Sequence, residues 1–264
     1  MSLPEFDVSG QKVLVVGAGR GIGKGIALAF AEAGAKVAIA SLTEATVNNV
    51  AKEIRDIDGV ALPVTGDATT SAGMDKITAE VLAEFGNIDT LVTCVGDSIR
   101  KPVAKLPGSD EEGMTEDDWH SVVNVNLTEA FQACRAVGPH LLEQGQGSVI
   151  NISGWASFRG RPGYSAYDAS KAGVMRFTET VAQEWAPFGV RVNAVAPGSF
   201  PDPEQMSSEA YAERQKNAKG RIPIPRMGNL KEPGYLCGFL ASPAASYITG
   251  QTWAVDGGIS IKAP

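Results

Sequence analysis

Tyr167 and Lys171 stand four residues apart in the run Tyr167-Asp168-Ala169-Ser170-Lys171, inside a stretch with helical periodicity. One turn of helix puts both side chains on the same face. An ammonium beside a phenol favours the phenolate and draws its pKa from about 10 toward working pH, which makes Tyr167 a candidate general acid/base. By itself the spacing also describes an unrelated helical tyrosine and lysine. A second pattern is Gly17-Ala18-Gly19-Arg20-Gly21-Ile22-Gly23, which joins a short β-branched run to an apolar-periodic one. Glycines there allow a tight turn and let backbone N–H groups approach a pyrophosphate, while the following helix N-terminus adds positive potential. A glycine-rich turn without a ligand is the alternative, and the position after an N-terminal strand argues against it.

Other chemistries find little support. His120 and His140 are the only histidines and sit in no metal-ligand pattern, so no metal site is expected. Cys94, Cys134 and Cys237 are odd in number and form no CxxC pair, which argues against a disulfide scaffold or a zinc site. Reaction chemistry is left to Tyr, Lys, Ser, Asp, Glu or a cofactor. The net charge of −7 disfavours nucleic acid and anionic membrane as partners and favours a small-molecule substrate. The opening MSLPEFDVSGQK lacks an apolar signal core, and no apolar run is long enough to span a bilayer, so a cytoplasmic location is expected.

The elements that must position these residues alternate along the 264-residue chain. Strands are predicted over 12–17, 36–40, 61–65, 90–95, 148–153, 190–196 and 252–255. Helices are predicted over 21–34, 44–57, 72–85, 116–136, 165–186 and 232–241. Repeated β-α-β units with right-handed crossovers predict an α/β fold: one doubly wound Rossmann-type domain over 1–264, a parallel seven-stranded sheet with helices on both faces. The proline-punctuated, mixed-polarity segment 199–227 is predicted as an irregular substrate lid, and 100–113 as a surface loop or interface.

Taken together and in order, the motifs resemble the short-chain dehydrogenase/reductase (SDR) family over nearly the whole chain. They are the glycine loop, Asp67 after the third strand, Asn126-Leu127, Asn151-Ile152-Ser153, Tyr167 with Lys171, Arg191–Gly198 (RVNAVAPG) and Gly250–Gly258 (GQTWAVDGG). The resemblance implies a nicotinamide-dependent alcohol dehydrogenase or carbonyl reductase. It implies that Gly17, Gly19, Gly21, Ile22 and Gly23 hold the pyrophosphate and that Asp67 and Ala68 contact the adenine. Gly96 would leave room for the cofactor, and Pro197-Gly198, with Phe200 nearby, would pass the nicotinamide. Tyr167 would exchange the substrate proton, Lys171 would bind the nicotinamide ribose and lower the Tyr167 pKa, and Asn126 would help hold a water linking Lys171 to solvent.

The sequence departs from the family pattern at the serine that normally precedes the tyrosine by thirteen residues: position 154 is Gly. Loss of one such donor costs on the order of 10²–10³ in rate, about 3–4 kcal/mol. Ser153 is the adjacent candidate, one residue early on a strand whose neighbours alternate faces. Ser157, a water or a substrate group are the other stand-ins, and loss of catalysis is the remaining reading. Val16 replaces the Thr before the glycine loop. Thr93-Cys94-Val95-Gly96 replaces Asn-Asn-Ala-Gly, with Cys94 read as a small buried hydrophobe. Asp202 takes a Thr position near the cofactor phosphates and is expected to point away from them.

NAD-users place an acid at the end of the second strand. Here that position is Ser41, and Arg20 is available to pair with a 2′-phosphate, so NADP(H) is favoured and NAD(H) is the alternative. The implied substrate pocket offers Ser98, Gly154, Trp155, Tyr164 and Ser199, with Arg159 and Arg161 between Trp155 and Tyr164; an inward arginine would suit an anionic substrate. Val174, Phe177, Val181 and Trp185 suggest a helix buried on two sides, as at the interface of the homotetramers common in the family. The competing functions are a cofactor-binding SDR-like protein with weak or no catalysis, supported by Gly154, and a methyltransferase, which leaves the Tyr167–Lys171 spacing unexplained.

Overall fold

A computed structural model describes residues 3–262. Its centre is a seven-stranded, wholly parallel sheet in the order β3-β2-β1-β4-β5-β6-β7. The strands are β1 (Lys12–Val16), β2 (Lys36–Ser41), β3 (Val60–Thr65), β4 (Thr90–Thr93), β5 (Gly147–Ile152), β6 (Val190–Pro197) and β7 (Thr252–Val255). β1 shows why the sequence folds this way. Its β-branched residues suit the pleat, and alternate side chains feed opposite layers. Val13 and Val15 join Ile26, Phe30, Ile39, Ile54 and Leu240 on one face. Leu14 and Val16 join Met74, Ile77, Val81, Leu91 and Leu141 on the other. Burial on both faces is what a parallel sheet with helical crossovers requires.

The helices are α1 (Gly21–Glu32), α2 (Glu44–Arg55), α3 (Ser71–Phe85), α4 (Glu116–Val123), α5 (Glu129–Gln144), α6 (Ser165–Trp185), α7 (Ser208–Ala218) and α8 (Glu232–Ala241). The single helix predicted over 116–136 is two helices joined by a π turn at Asn124–Thr128, and the second runs on to Gln144. The segment 199–227, predicted as irregular, contains α7. Its prolines lie outside the run SEAYAERQKNA, and the Ser207 hydroxyl caps it by accepting from the Ala210 N–H at 3.2 Å. The residues on α6 expected to need a second subunit face this chain's own core. Val174 and Val181 are buried, Phe177 packs against the core, and Trp185 lies over Gly138 on α5, where a Cβ would meet its ring at 2.6 Å. The apolar pattern on that helix reports internal packing against α5.

The chain winds outward from β1 to β3, then returns to β4 beside β1 and winds the other way. The carboxyl ends of β1 and β4 therefore diverge into a crevice, the place where doubly wound sheets take ligands. No helix among the described residues is long and apolar enough to cross a membrane.

Candidate active site

A cleft of about 950 Å³ opens along the carboxyl ends of the strands, from Ser41 and Asp67 at one end to Tyr167 and Gly154 at the other. It has room for a dinucleotide and a small substrate together. The glycine loop forms its floor. Gly17 has φ +84°, and a Cβ there would strike the Cys94 backbone at 2.7 Å. A Cβ on Gly23 would come within 2.2 Å of the Gly17 carbonyl oxygen. These close approaches leave the start of α1 bare for a phosphate. Ser41 and Thr46 border the loop: a Cβ on Gly19 would meet their hydroxyl oxygens at 2.8 and 2.6 Å. Arg20 and Ala68 also line the cleft. Asp67 uses one carboxylate oxygen to accept from the Thr69 N–H and hydroxyl at 2.9 and 2.7 Å, which fixes the turn into α3.

One expectation is reversed. Asp202 points at the phosphate-binding loop: its Oδ2 accepts from the Gly21 N–H at 2.9 Å, and the residue is only 7% exposed. A helix N-terminus attracts a carboxylate for the same reason that it attracts a phosphate. Neighbouring residues close the contact. Glu204 pairs with Lys24 at 2.8 Å, and the Arg20 Nη1 donates to Gln205 Oε1 at 3.4 Å. The segment after β6 is thus clasped onto the loop, and Arg214 of α7 reaches the cleft as well.

At the far end, Tyr167 and Lys171 project from the first two turns of α6. Lys171 is 3% exposed and donates to the Ile152 and Val95 carbonyls at 3.0 and 3.4 Å, so it bridges the ends of β5 and β4. Burial lowers its pKa. The Asn126 amide, presented by the π turn, donates to the Asp97 and Val122 carbonyls at 2.6 and 2.8 Å. Its Oδ1 is buried and makes no hydrogen bond among the described residues. Gly96 faces this gap: a Cβ there would lie 2.9 Å from Asn126 Oδ1 and 3.3 Å from Lys171 Nζ. Glu129, 1% exposed, completes the chamber, with Oε1 also unpaired among the described residues. Burial pushes its carboxyl up to about 8, against the pull of Lys171. Burial also raises the Cys94 thiol to about 12, as befits a packed side chain and not a nucleophile.

The Tyr167 phenol lies above its ordinary pKa, because burial outweighs the nearby cation Arg161. Lys171 Nζ is 5.9 Å from the Tyr167 ring centre, further than the Arg161 guanidinium at 5.5 Å. The downward shift expected from Lys171 is therefore not the net result.

Gly154 faces Tyr167, as the spacing predicts: a Cβ built on it would stand 3.4 Å from the phenolic oxygen. Ser153 borders the cleft, but its hydroxyl donates to the Val195 carbonyl at 3.3 Å and the residue is 2% exposed. Its side chain is committed to β6. Ser98, Trp155, Tyr164, Pro197, Gly198 and Phe200 line the cleft. Ser199 and Ser157 do not; the Ser199 carbonyl instead accepts from the Gly228 N–H at 3.0 Å. Arg161 lines the cleft, whereas Arg159 donates to the Lys262 carbonyl at 3.0 Å.

A doubly wound sheet, bare glycines at the switch point and a buried Tyr–Lys pair across the cleft define a nicotinamide-type dinucleotide oxidoreductase. The comparisons agree and are narrower. Residues 17–260 match the family described as enoyl-(acyl carrier protein) reductase. The 3-oxoacyl-(acyl-carrier-protein) reductase FabG of Thermotoga maritima is 35% identical over 254 residues, covering 96% of this chain and 99% of that one. A gluconate 5-dehydrogenase from Burkholderia cenocepacia, solved with NADP and tartrate, superimposes with a TM-score of 0.87 at 32% identity, covering 98% and 99% of the two chains. A 7α-hydroxysteroid dehydrogenase solved with NADH gives 0.87 at 27% identity, covering 98% of each. The chain belongs to the short-chain dehydrogenase/reductase family of nicotinamide-dependent oxidoreductases.

Proposed function

We propose that this chain interconverts an alcohol and a ketone or aldehyde, with Tyr167 giving or taking the substrate proton and NADP(H) as the favoured partner. The observation that carries the reading is the Tyr167 hydroxyl, facing the open notch at Gly154 inside the cleft that begins at the glycine loop. The bound nicotinamide would supply or accept the hydride at its ring carbon. A phenol that burial keeps protonated is suited to donate to a carbonyl oxygen as negative charge builds there. Lys171 has three N–H donors and spends two on Ile152 and Val95, which leaves one for a ribose hydroxyl. The unpaired Asn126 Oδ1 beside it offers an acceptor for a proton path. At the other end, Gly17 to Gly23 would hold the pyrophosphate, and Asp67 and Ala68 the adenine. Ser41 ends β2 without a carboxylate and Arg20 stands in the same cleft, which supports NADP(H) over NAD(H).

Segment 199–227 would close over the substrate, and Trp119 and Phe131, both exposed on α4 and α5, would meet a second copy in a homotetramer. Gly154 favours a second reading, cofactor binding with weak catalysis. Following nicotinamide absorbance with NADPH and NADH against paired ketones and alcohols separates the two. Turnover by the wild type that Tyr167→Phe reduces by about 10²-fold or more supports the first; tight cofactor binding without turnover supports the second.

A further inference from the structure

The notch at Gly154 lacks the hydroxyl expected there, yet a cation lies beside it. Arg161 follows Trp155 on the loop between β5 and α6. Its guanidinium lies 4.9 Å from the Trp155 ring centre, 4.3 Å from Tyr164 and 5.5 Å from Tyr167. Asp168, adjacent to Tyr167 in sequence, fixes the orientation. It accepts from the Arg161 Nη2 at 2.6 Å, from Nε at 3.2 Å and from the backbone N–H at 2.8 Å. Nη1 makes no hydrogen bond among the described residues, and the side chain is 24% exposed, within the cleft wall. A planar fork held on one edge and stacked on aromatic faces presents its remaining N–H groups with little rotamer entropy left to lose.

We propose that Arg161 performs the task of the absent side chain at 154: its Nη1 donates to the reacting oxygen of the substrate, and its charge stabilises the negative charge that forms there and on Tyr167. The inference rests on the alcohol–carbonyl reading of the site. Three features support it. The notch is open, because a Cβ on Gly154 meets nothing within 4 Å except the Tyr167 oxygen at 3.4 Å. A preorganised donor in a water-poor cleft is worth far more than in water. The charges about Tyr167 also leave the task unfilled: Asp168 on its own helix, and Cys94 and Asp97 from the β4 end, all oppose the phenolate, while Arg161 favours it. Lys171 is turned to two carbonyls. In reduction the Tyr167 proton passes to the substrate oxygen, and Arg161 then faces a phenolate without itself giving up a proton.

The test compares Arg161→Gln, Arg161→Lys and Arg161→Gln/Asp168→Asn, the last leaving no unpaired carboxylate behind, each with and without Gly154→Ser. Readouts are kcat, NADPH affinity by titration, and the Tyr167 phenol pKa by ¹³C NMR of tyrosine-labelled, cofactor-bound protein, assigned with Tyr167→Phe. Removing Arg161 is expected to lower kcat by about 10²-fold, leave NADPH affinity unchanged and move the Tyr167 titration upward. Arg161→Lys is expected to fall between, and Gly154→Ser to return at least a tenth of the lost rate. A glutamine variant with wild-type kcat, or a loss that Gly154→Ser does not recover, overturns the inference. A wild type without turnover would instead overturn the alcohol–carbonyl reading and take this inference with it.

Discussion

Asp202 places a negative charge on the N–H of Gly21, at the site offered to a pyrophosphate. Asp202→Asn removes the charge and keeps an acceptor for both Gly21 and the Glu204 N–H, each at 2.9 Å. Two opposing effects follow. The carboxylate interacts favourably with the dipole of α1, and losing that costs about 0.5–1 kcal/mol in the cofactor-free chain. A phosphate sharing the same helix N-terminus lies roughly 5 Å from the carboxylate, where unit charges repel by about 3 kcal/mol at an effective dielectric of 20. Allowing half of that for rearrangement of the clasp, NADPH should bind about tenfold tighter to Asp202→Asn. Isothermal titration gives the affinity and scanning fluorimetry the stability. The cofactor-free variant should melt about 1–4 °C lower, while the gain in Tm on adding NADPH should be larger than in the wild type. Affinity that is unchanged or weaker in the variant would refute the argument, because Asp202 would then be a positioning ligand and not a competitor.

Further outcomes are expected. Ser41→Asp should weaken NADPH binding by about tenfold or more and narrow the gap to NADH, read as the ratio of kcat/KM values. Gly23→Ala would force a Cβ to within 2.2 Å of the Gly17 carbonyl oxygen. It should abolish cofactor binding by titration, with at most partial loss of helicity by circular dichroism. Glu129, raised by burial to about 8 from the usual 4.5, binds its proton more tightly folded than unfolded. Its contribution is therefore intact below about pH 4.5 and lost as pH rises toward 8. Glu129→Gln should match the wild-type Tm near pH 5 and exceed it near pH 8.5 in scanning fluorimetry.

Strand positions are legible in the sequence because residues such as Val13–Val16 are both β-branched or apolar and buried on two faces, so no alternative element suits them. The glycine loop is legible because close backbone approach excludes any Cβ at Gly17 or Gly23. The notch at Gly154 is legible by counting back from Tyr167. The orientation of Arg161 is not, since nothing in a Pro/Gly-punctuated loop reveals that three rings and Asp168 will hold it inward. Charge repulsion alone suggested that Asp202 turns away; the unpaired N–H of a helix start, absent from that reasoning, turns it in. The interface expected on α6 failed because periodicity does not distinguish a partner subunit from α5 of the same chain.

The π turn at 124–128 has a consequence for how this chain tolerates changes in length. One extra residue per turn offsets the phase of α5 from that of α4, which is how Asn126 faces Val122 and Asp97 while Ala133, Val137 and Leu141 still face the sheet. Deleting a single residue there would restore an uninterrupted helix and rotate everything downstream by about 100°. Substitutions between 124 and 128 would act locally, whereas a one-residue deletion would act on all of α5. A deletion scan read out by soluble expression should show a sharp minimum over these five positions, with tolerance returning in the loop at 103–111.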